Sequence, residues 1–198
     1  MSTTVIRILG IKGGVGKSSI AFALARIISI SGYKVLFLDR DNLHTISKLL
    51  GIKECELSFV LGFTVFACND WSKVPLNGYD YIIIDTYAGI SKEEISSIKG
   101  DRVFNVFITD YFSIQNTLEY IMTWNMQENS RNFLVINMVK KEDAEYNSLQ
   151  LAVVNSLISK KNVKNDGVFL FSFNEEYYGS YRVDSSNIEL LLAHILTG

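Results

Sequence analysis

The chain reads as short, dense apolar runs alternating with stretches whose apolar residues recur at helical spacing. The runs are Val5–Leu9, Val35–Leu38, Phe63–Ala67, Tyr81–Ile84, Val103–Thr109, Phe133–Met138 and Val168–Phe173, and each predicts a strand. Between the first two, Lys17–Ile30 places Ile20, Leu24, Ile27 and Ile28 on one helical face, and Gly32 follows as a stop. A short helix is expected over Thr45–Leu50, stopped by Gly51, and longer ones near Ile114–Met126, Ala144–Ser159 and Asn187–Leu196. Strands this apolar, separated by helices, are buried on both faces of a parallel sheet. The expected fold is therefore α/β: a doubly wound, mostly parallel sheet with helices on both faces. No repeat, low-complexity tract or linker breaks the pattern, and the single proline, Pro75, marks no boundary. Residues 1–198 are expected to form one domain, with ligands at the carboxyl ends of its strands.

Composition narrows this picture. The chain has 198 residues, 48% hydrophobic and 20% charged, enough for one full core. No segment approaches the ~18 uninterrupted apolar residues of a membrane span. The start, MSTTVIRILG, reads as a strand rather than a secretory signal. A net charge of −2 offers no global positive field for nucleic acid. Cys55 and Cys68 form no C-x-x-C pair, which argues against a metal or iron–sulfur site from this chain alone. They are expected to be two reduced thiols in a cytosolic protein.

The chemistry concentrates in Gly10-Ile11-Lys12-Gly13-Gly14-Val15-Gly16-Lys17-Ser18-Ser19, between the first strand and the first helix. The ordinary phosphate loop is G-x-x-x-x-G-K-[ST], but its first glycine is replaced here by Ile11, and an additional lysine, Lys12, precedes the glycine pair. Gly13, Gly14 and Gly16 let backbone N–H groups approach phosphate oxygens, and the helix N-terminus adds its positive end. Lys17 can reach β- and γ-phosphates, and the Ser18 hydroxyl can ligate Mg²⁺. This makes Gly13 to Ser19 the candidate phosphate contacts. Asp85 ends the run Ile82-Ile83-Ile84 as a Walker-B-type acid does, holding Mg²⁺ directly or through water. Asp39 and Asp41 end the strand after the loop helix, where a carboxylate faces the γ-phosphate. A helix cap or a solvated charge remains the alternative for Asp39.

These residues resemble the ParA/MinD class of P-loop ATPases. K-G-G-x-G-K-[ST], the deviant Walker A of that class, is here Lys12 to Ser18. Asp39-Arg40-Asp41 is similar to its D-x-D. Asp85-Thr86-Tyr87-Ala88-Gly89-Ile90 is similar to its second switch, with Tyr87 where proline is common. Ile136-Asn137-Met138-Val139 is similar to the strand end whose asparagine meets adenine. The resemblance implies ATP/ADP and Mg²⁺ as cofactors and an ATP-bound homodimer in which Lys12 reaches the phosphates held by the other copy. It implies Asp41 as the residue that orients the attacking water, Asp39 as a water-mediated support for Mg²⁺, and Thr86 as a backbone contact to the γ-phosphate. Asn137 is the adenine candidate, with a buried, backbone-bonded asparagine as its rival. Phe173 and Asn174 are expected to line the base pocket, although the proline common there in the family is missing.

The same resemblance leads to a small ParA-like ATPase, slow and partner-stimulated. Its dimer would bind DNA non-specifically during plasmid or chromosome partition, with a DNA-bound, centromere-reading adaptor as partner. It places the chain in the cytoplasm, with the nucleoid as the place where DNA would hold it. Two lysine clusters are the candidate DNA contacts: Lys140 and Lys141, and Lys160, Lys161 and Lys164. Solvated ends of secondary structure are the alternative. About forty residues separate Asp41 from Asp85, short for the family, and no DNA-reading extension precedes the loop. The helix Asn187–Leu196 is apolar without lysine or arginine, so it reads as a core helix and not a membrane-targeting one. Tyr177, Tyr178 and Tyr181 faintly resemble the cluster of bacterial tyrosine kinases, but tyrosine is frequent throughout the chain. Two other readings stay open: a MinD-like spatial regulator acting at a membrane or on a protein complex, and a nucleotide-binding regulator with negligible turnover.

Overall fold

The computed structural model describes residues 2–124, 130–139, 144–172 and 184–197. Its elements are β1 (Thr4–Leu9), α1 (Lys17–Ile30), β2 (Val35–Arg40), α2 (Thr45–Leu49), β3 (Leu57–Val60), β4 (Phe63–Phe66), β5 (Tyr81–Thr86), α3 (Lys92–Ile95), β6 (Arg102–Thr109), α4 (Ile114–Trp124), β7 (Ser130–Val139), α5 (Ala144–Lys161), β8 (Gly167–Ser172) and α6 (Ser185–Thr197). The strands form one sheet in the order β3-β4-β2-β5-β1-β6-β7-β8. Every pairing is parallel except β3 with β4.

The expected double winding is present. Ile6, Ile8, Phe37 and Ile83 point to one face and pack with α1, α2 and α6. Their neighbours Val5, Leu9, Leu36, Leu38, Ile82 and Ile84 point to the other and pack with α3, α4 and α5. Residues of β1, β2 and β5 are buried throughout, so these strands show no polar alternation. Each fully buried Ile, Leu or Phe contributes ~1.5–3 kcal/mol relative to exposure. The helix read at Lys17–Ile30 has those bounds, and Gly32 after it has a φ of +91°, a value glycine adopts without strain. Helix α6 buries Ile188, Leu191, Leu192 and Ile195 in the core, as its composition implied. No described helix is long and apolar enough to cross a membrane.

Two elements were not foreseen. Strand β3 is a four-residue edge strand whose apolar Leu57 and Phe59 face outward, and its turn into β4 is Leu61-Gly62 rather than Asn-Gly. Helix α3 is four residues long and starts with a capping box: Ser91 N–H donates to Glu94 Oε1 at 3.1 Å, and Glu94 N–H donates to Ser91 Oγ at 3.4 Å. That S-x-x-E signal was available in the sequence.

The hairpin also corrects the expectation of two reduced thiols. Cys55 and Cys68 are joined in a disulfide, with Cα atoms 4.6 Å apart. The cause is the β3–β4 register. Leu57 pairs with Phe66, so two residues further out Cys55 lies opposite Cys68. The Cys55 N–H donates to Ala67 O at 2.7 Å, which keeps the chains together there. With the cysteines 13 positions apart, chain-entropy reasoning gives the bridge a stabilisation of ~3 kcal/mol. Cys68→Ser, or reduction of the wild type, is expected to lower the unfolding free energy by about 2–3 kcal/mol in urea titration. Equal midpoints with and without reductant would show that the bridge contributes nothing.

Candidate functional site

Strand β1 lies between β5 and β6, so the connections leaving the strand ends part on either side of it. A crevice at that point is where open α/β sheets take ligands. Residues 10–16 run from the end of β1 to the start of α1 and occupy it. Gly14 and Gly16 have φ of +76° and +91°, which a side chain would strain. Gly16 is also the helix N-cap, with no side-chain cap bond, and the first turn of α1 carries no acid. The helix thus presents uncapped N–H groups and its positive end to the loop. Val15 is buried in the core and anchors the loop, whereas Lys12, Gly13 and Gly14 are exposed. Ser18 and Ser19 are half-buried in the first turn of α1.

The two lysines differ in environment. Lys17 is only 8% exposed, and its Nζ donates to Lys12 O at 2.9 Å. Burial lowers its pKa, and the charges of Asp85 and Asp41 act in the opposite sense. Lys12 is half exposed, and its Nζ meets Asp110 Oδ2 at 2.6 Å. Asp110 follows β6 and caps the short turn Tyr111–Ser113 by accepting the Ser113 N–H on Oδ1 at 2.8 Å. Burial alone raises the Asp110 pKa, but the bonds from Lys12 and Ser113 hold it below the usual carboxylate range.

Three acids face the loop from the other half of the sheet. Asp39 and Asp85 are register partners on β2 and β5, both fully buried. The strands run on past the expected Leu38 and Ile84 because their parallel pairing continues through Arg40 and Thr86. Asp39 Oδ2 accepts the Ser47 N–H of α2 at 2.8 Å, so the helix-cap alternative is part of its role. Asp41 Oδ2 accepts the Thr45 hydroxyl at 3.1 Å. Arg40 turns the other way, stacking 3.8 Å over the Trp71 ring and donating to the Cys68 carbonyl.

Neither oxygen of Asp85 nor Oδ1 of Asp39 is in a well-formed hydrogen bond. Desolvation pushes the Asp85 carboxyl up to about 8, reinforced by Asp39 and Asp41 and opposed by the Ser18 hydroxyl and Lys17. Such buried, under-bonded carboxylate oxygens fit a divalent cation. Among the described residues no group of three or more His, Cys, Asp or Glu forms a metal cage. Mg²⁺ bound here would take its remaining ligands from phosphate and water, as it commonly does.

The segment after β5 and the end of β7 both touch β1 or the loop. Gly89 N–H donates to Gly10 O at 2.9 Å, and the Thr86 hydroxyl donates to Ile8 O at 2.6 Å. Tyr87, standing where proline is common, bonds Glu94 through its hydroxyl. Asn137 Nδ2 donates to Val15 O at 2.9 Å, so its amide is backbone-bonded, while the residue is half-buried rather than buried. Next to it, Met138 has a φ of +63°, and the β7–β8 register shifts between Ile136 and Val139, which turns the strand end. A Cβ on Gly16 would lie 2.4 Å from Asn137 Nδ2. Phe173, Asn174, Lys140, Lys141 and the three tyrosines Tyr177, Tyr178 and Tyr181 lie outside the described residues.

Lys160 and Lys161 end α5 and Lys164 follows, at the opposite end of the sheet from the loop. Lys164 O accepts from Asn132 near the start of β7, whereas Asn137 reaches the loop near its end. Lys161 Nζ also pairs with Glu119 at 2.9 Å. Sequence reasoning missed Asp110, although Asp110-Tyr-Phe-Ser113 directly after a strand is a readable capping signal.

Residues 6–167 match the family described as the CobQ/CobB/MinD/ParA nucleotide binding domain. No curated protein matches the chain. Among solved structures, the putative plasmid partition protein of Borrelia burgdorferi bound to AMPPNP is 20% identical with a TM-score of 0.66, over 100% of this chain and 99% of that one. The MinD cell division protein of Aquifex aeolicus is 18% identical with a TM-score of 0.74, over 100% and 98%. A Cyanothece McdA variant in complex with ATP is 16% identical with a TM-score of 0.67, over 91% and 86%. At these identities the likeness establishes the fold, while the family match covers the loop, all three acids and Asn137. The chain is a member of the CobQ/CobB/MinD/ParA nucleotide-binding domain family.

Proposed function

We propose that the chain is a ParA-like ATPase that closes into a sandwich homodimer on ATP, binds DNA non-specifically in that state, and is reset by slow hydrolysis. The observation that carries this reading is Lys12. It is a second loop lysine, half exposed and paired with Asp110 of its own chain, while Lys17 is buried at the start of the loop helix. A cation so placed suits phosphates bound by another copy. The roles then divide by position. Backbone N–H groups of Gly13 to Ser19 cradle the phosphates, and Lys17 turns from Lys12 O to the β- and γ-oxygens. Ser18 and Asp85, with Asp39 through water, would hold Mg²⁺, which offsets charge on the β- and γ-phosphates. Asp41 orients the attacking water. Asn137, with Phe173 and Asn174, meets the base. Lys12 of each copy stabilises the charge that develops at the other's γ-phosphate, as an arginine finger does.

The partition protein among the neighbours supports partition as the setting, with a DNA-bound centromere-reading adaptor as the stimulating partner, while the cell division protein among them keeps the spatial-regulator reading as the alternative. Helix α6 has its apolar face packed in the core, which disfavours a membrane cycle through it. Light scattering with ATP and Mg²⁺, followed by DNA co-sedimentation, tests the reading. A wild type that stays monomeric with ATP would sink it.

Lys160, Lys161 and Lys164 changed together to Glu should abolish ATP-dependent DNA retention and leave the dimer intact, since they lie far from the loop. Lys160 and Lys164 should account for most of the loss, because Glu119 already neutralises part of Lys161. Retention of the wild type should fall steeply between 50 and 200 mM salt, on the order of 10-fold or more, as counterions compete for the phosphates. Full retention by the triple variant at low salt would move the DNA surface elsewhere.

A further inference from the structure

The Cys55–Cys68 bridge closes the β3–β4 hairpin beside the acids of the site. Phe66 pairs with Leu38, so Cys68, two residues on, comes level with Arg40 at the end of β2. The Cys68 carbonyl accepts from the Arg40 guanidinium, which also stacks 3.8 Å over the Trp71 ring. Burial lowers the Arg40 pKa, and the nearby Tyr87, Glu94 and Asp70 act in the opposite sense. Tyr87 and Glu94 belong to the segment after β5 and bond each other. Arg40 itself stands between Asp39 and Asp41 and pairs in register with Thr86. One side chain thus ties the bridged hairpin to both arms of the site. The two cysteines differ in access. Cys68 is buried, whereas Cys55 is exposed and holds a left-handed φ of +58°, which residues with a side chain rarely adopt. The bridge and the bond from Cys55 N–H to Ala67 O keep it there. With the bridge open, Cys55 is free to leave that conformation and loosen the mouth of the hairpin.

We propose that Cys55–Cys68 is a thiol–disulfide switch on ATP turnover, opened by a dithiol reductant, with Arg40 as the positioning residue through which the bridge holds Asp41 and the segment after β5. The inference rests on the ATPase reading. A cytosolic ATPase meets reducing thiols, and disulfides that form among them are commonly redox-sensing. A thiolate of the dithiol attacks the sulfur of Cys55, the exposed member, and the S–S bond breaks. Cys68 leaves as a thiolate and takes up a proton. The second thiol of the reductant then resolves the mixed disulfide and frees Cys55 as a thiol. Two electrons and two protons pass to the bridge, and the reductant leaves as a disulfide. The Cys68 carbonyl then no longer has a fixed place, so Arg40 loses its anchor and the Asp41 strand end its support.

The oxidised protein is compared with the same protein after dithiothreitol, each state confirmed by alkylation and mass spectrometry and its folding by circular dichroism. Turnover is read as phosphate release from ATP, and affinity by calorimetry with AMPPNP. Reduction should slow turnover by about tenfold, as a misplaced catalytic group does, and change AMPPNP affinity by less than about twofold, because Lys17 and the glycine loop hang on β1 and α1. Reoxidation should restore the rate. Cys55→Ser, made at the exposed cysteine, should turn over at the reduced rate with or without dithiothreitol. Trp124 is fully buried, so iodide quenching of tryptophan fluorescence reads Trp71, and it should rise on reduction. Turnover that is equal in the two states, or faster after reduction, overturns the switch alone. Unfolding on reduction, or turnover and affinity falling together, makes the bridge a structural staple and overturns it as well. A slower rate with unchanged quenching overturns the route through Arg40. If the oxidised protein binds AMPPNP yet releases no phosphate from ATP, the ATPase reading itself is wrong, and the switch falls with it.

Discussion

Lys17→Ala is expected to lose about 10- to 100-fold or more in ATP affinity by calorimetry. Hydrogen bonds to charged groups contribute ~1.5–3 kcal/mol each, and Lys17 is the buried loop cation proposed to meet the β- and γ-phosphates. The loss should grow from ADP to ATP, because the γ-phosphate adds charge that no buried cation then offsets. Stability should hardly fall. Lys17 is a desolvated charge whose visible protein bond goes to one carbonyl, and removing it relieves that desolvation. A folded Lys17→Ala protein with wild-type ATP affinity would remove the loop from the nucleotide site.

Lys12→Ala and Asp41→Ala are expected to part in opposite directions. Lys12→Ala keeps Lys17, the glycines and the helix N-terminus, so it should bind ATP as a monomer. It should not dimerise stably, and turnover should fall by about 100-fold or more, within the range that arginine fingers supply. Asp41→Ala should bind ATP, dimerise and accumulate in that state, because the residue's proposed task begins only after assembly. Its hydrogen bond to Thr45 suggests a modest side effect on α2, on the order of 1 kcal/mol. Light scattering with phosphate release, run on both variants, separates them. Lys12→Ala that dimerises and hydrolyses like the wild type would leave the nucleotide-switched dimer without its main support.

Much of this was legible from the chain because parallel strands buried on both faces cannot alternate. Ile82-Ile83-Ile84 could only be a central strand, and the glycines before Lys17 could only precede its helix. The acid at the end of each run could be placed beside the loop for the same reason. What was not legible depended on pairing across distance. Nothing local in Leu57–Val60 shows that it folds back on β4, so neither the edge strand nor the Cys55–Cys68 bridge that follows from its register was foreseen. The partners of the site residues were hidden in the same way. That Asp39 reaches Ser47, Asn137 reaches Val15, and Lys12 reaches Asp110 is a property of the assembled sheet. Asp39, Asn137 and Lys12, which the sequence assigns to ligand, thus also bond within the protein itself.

The ties on the loop are unevenly spread along it. Gly10 is bonded to Gly89, Val15 is bonded to Asn137 and buried, and Gly16 is pressed against the same asparagine. Fixing a residue's backbone costs ~1–2 kcal/mol of conformational entropy. At both ends of the loop the fold has already met that cost, so nucleotide meets a cradle that is largely preorganised. The remaining slack lies in Gly13 and Gly14, which are exposed. Ordering on binding should therefore be felt most there, as slowed amide exchange at those two residues while their flanks stay as protected as before.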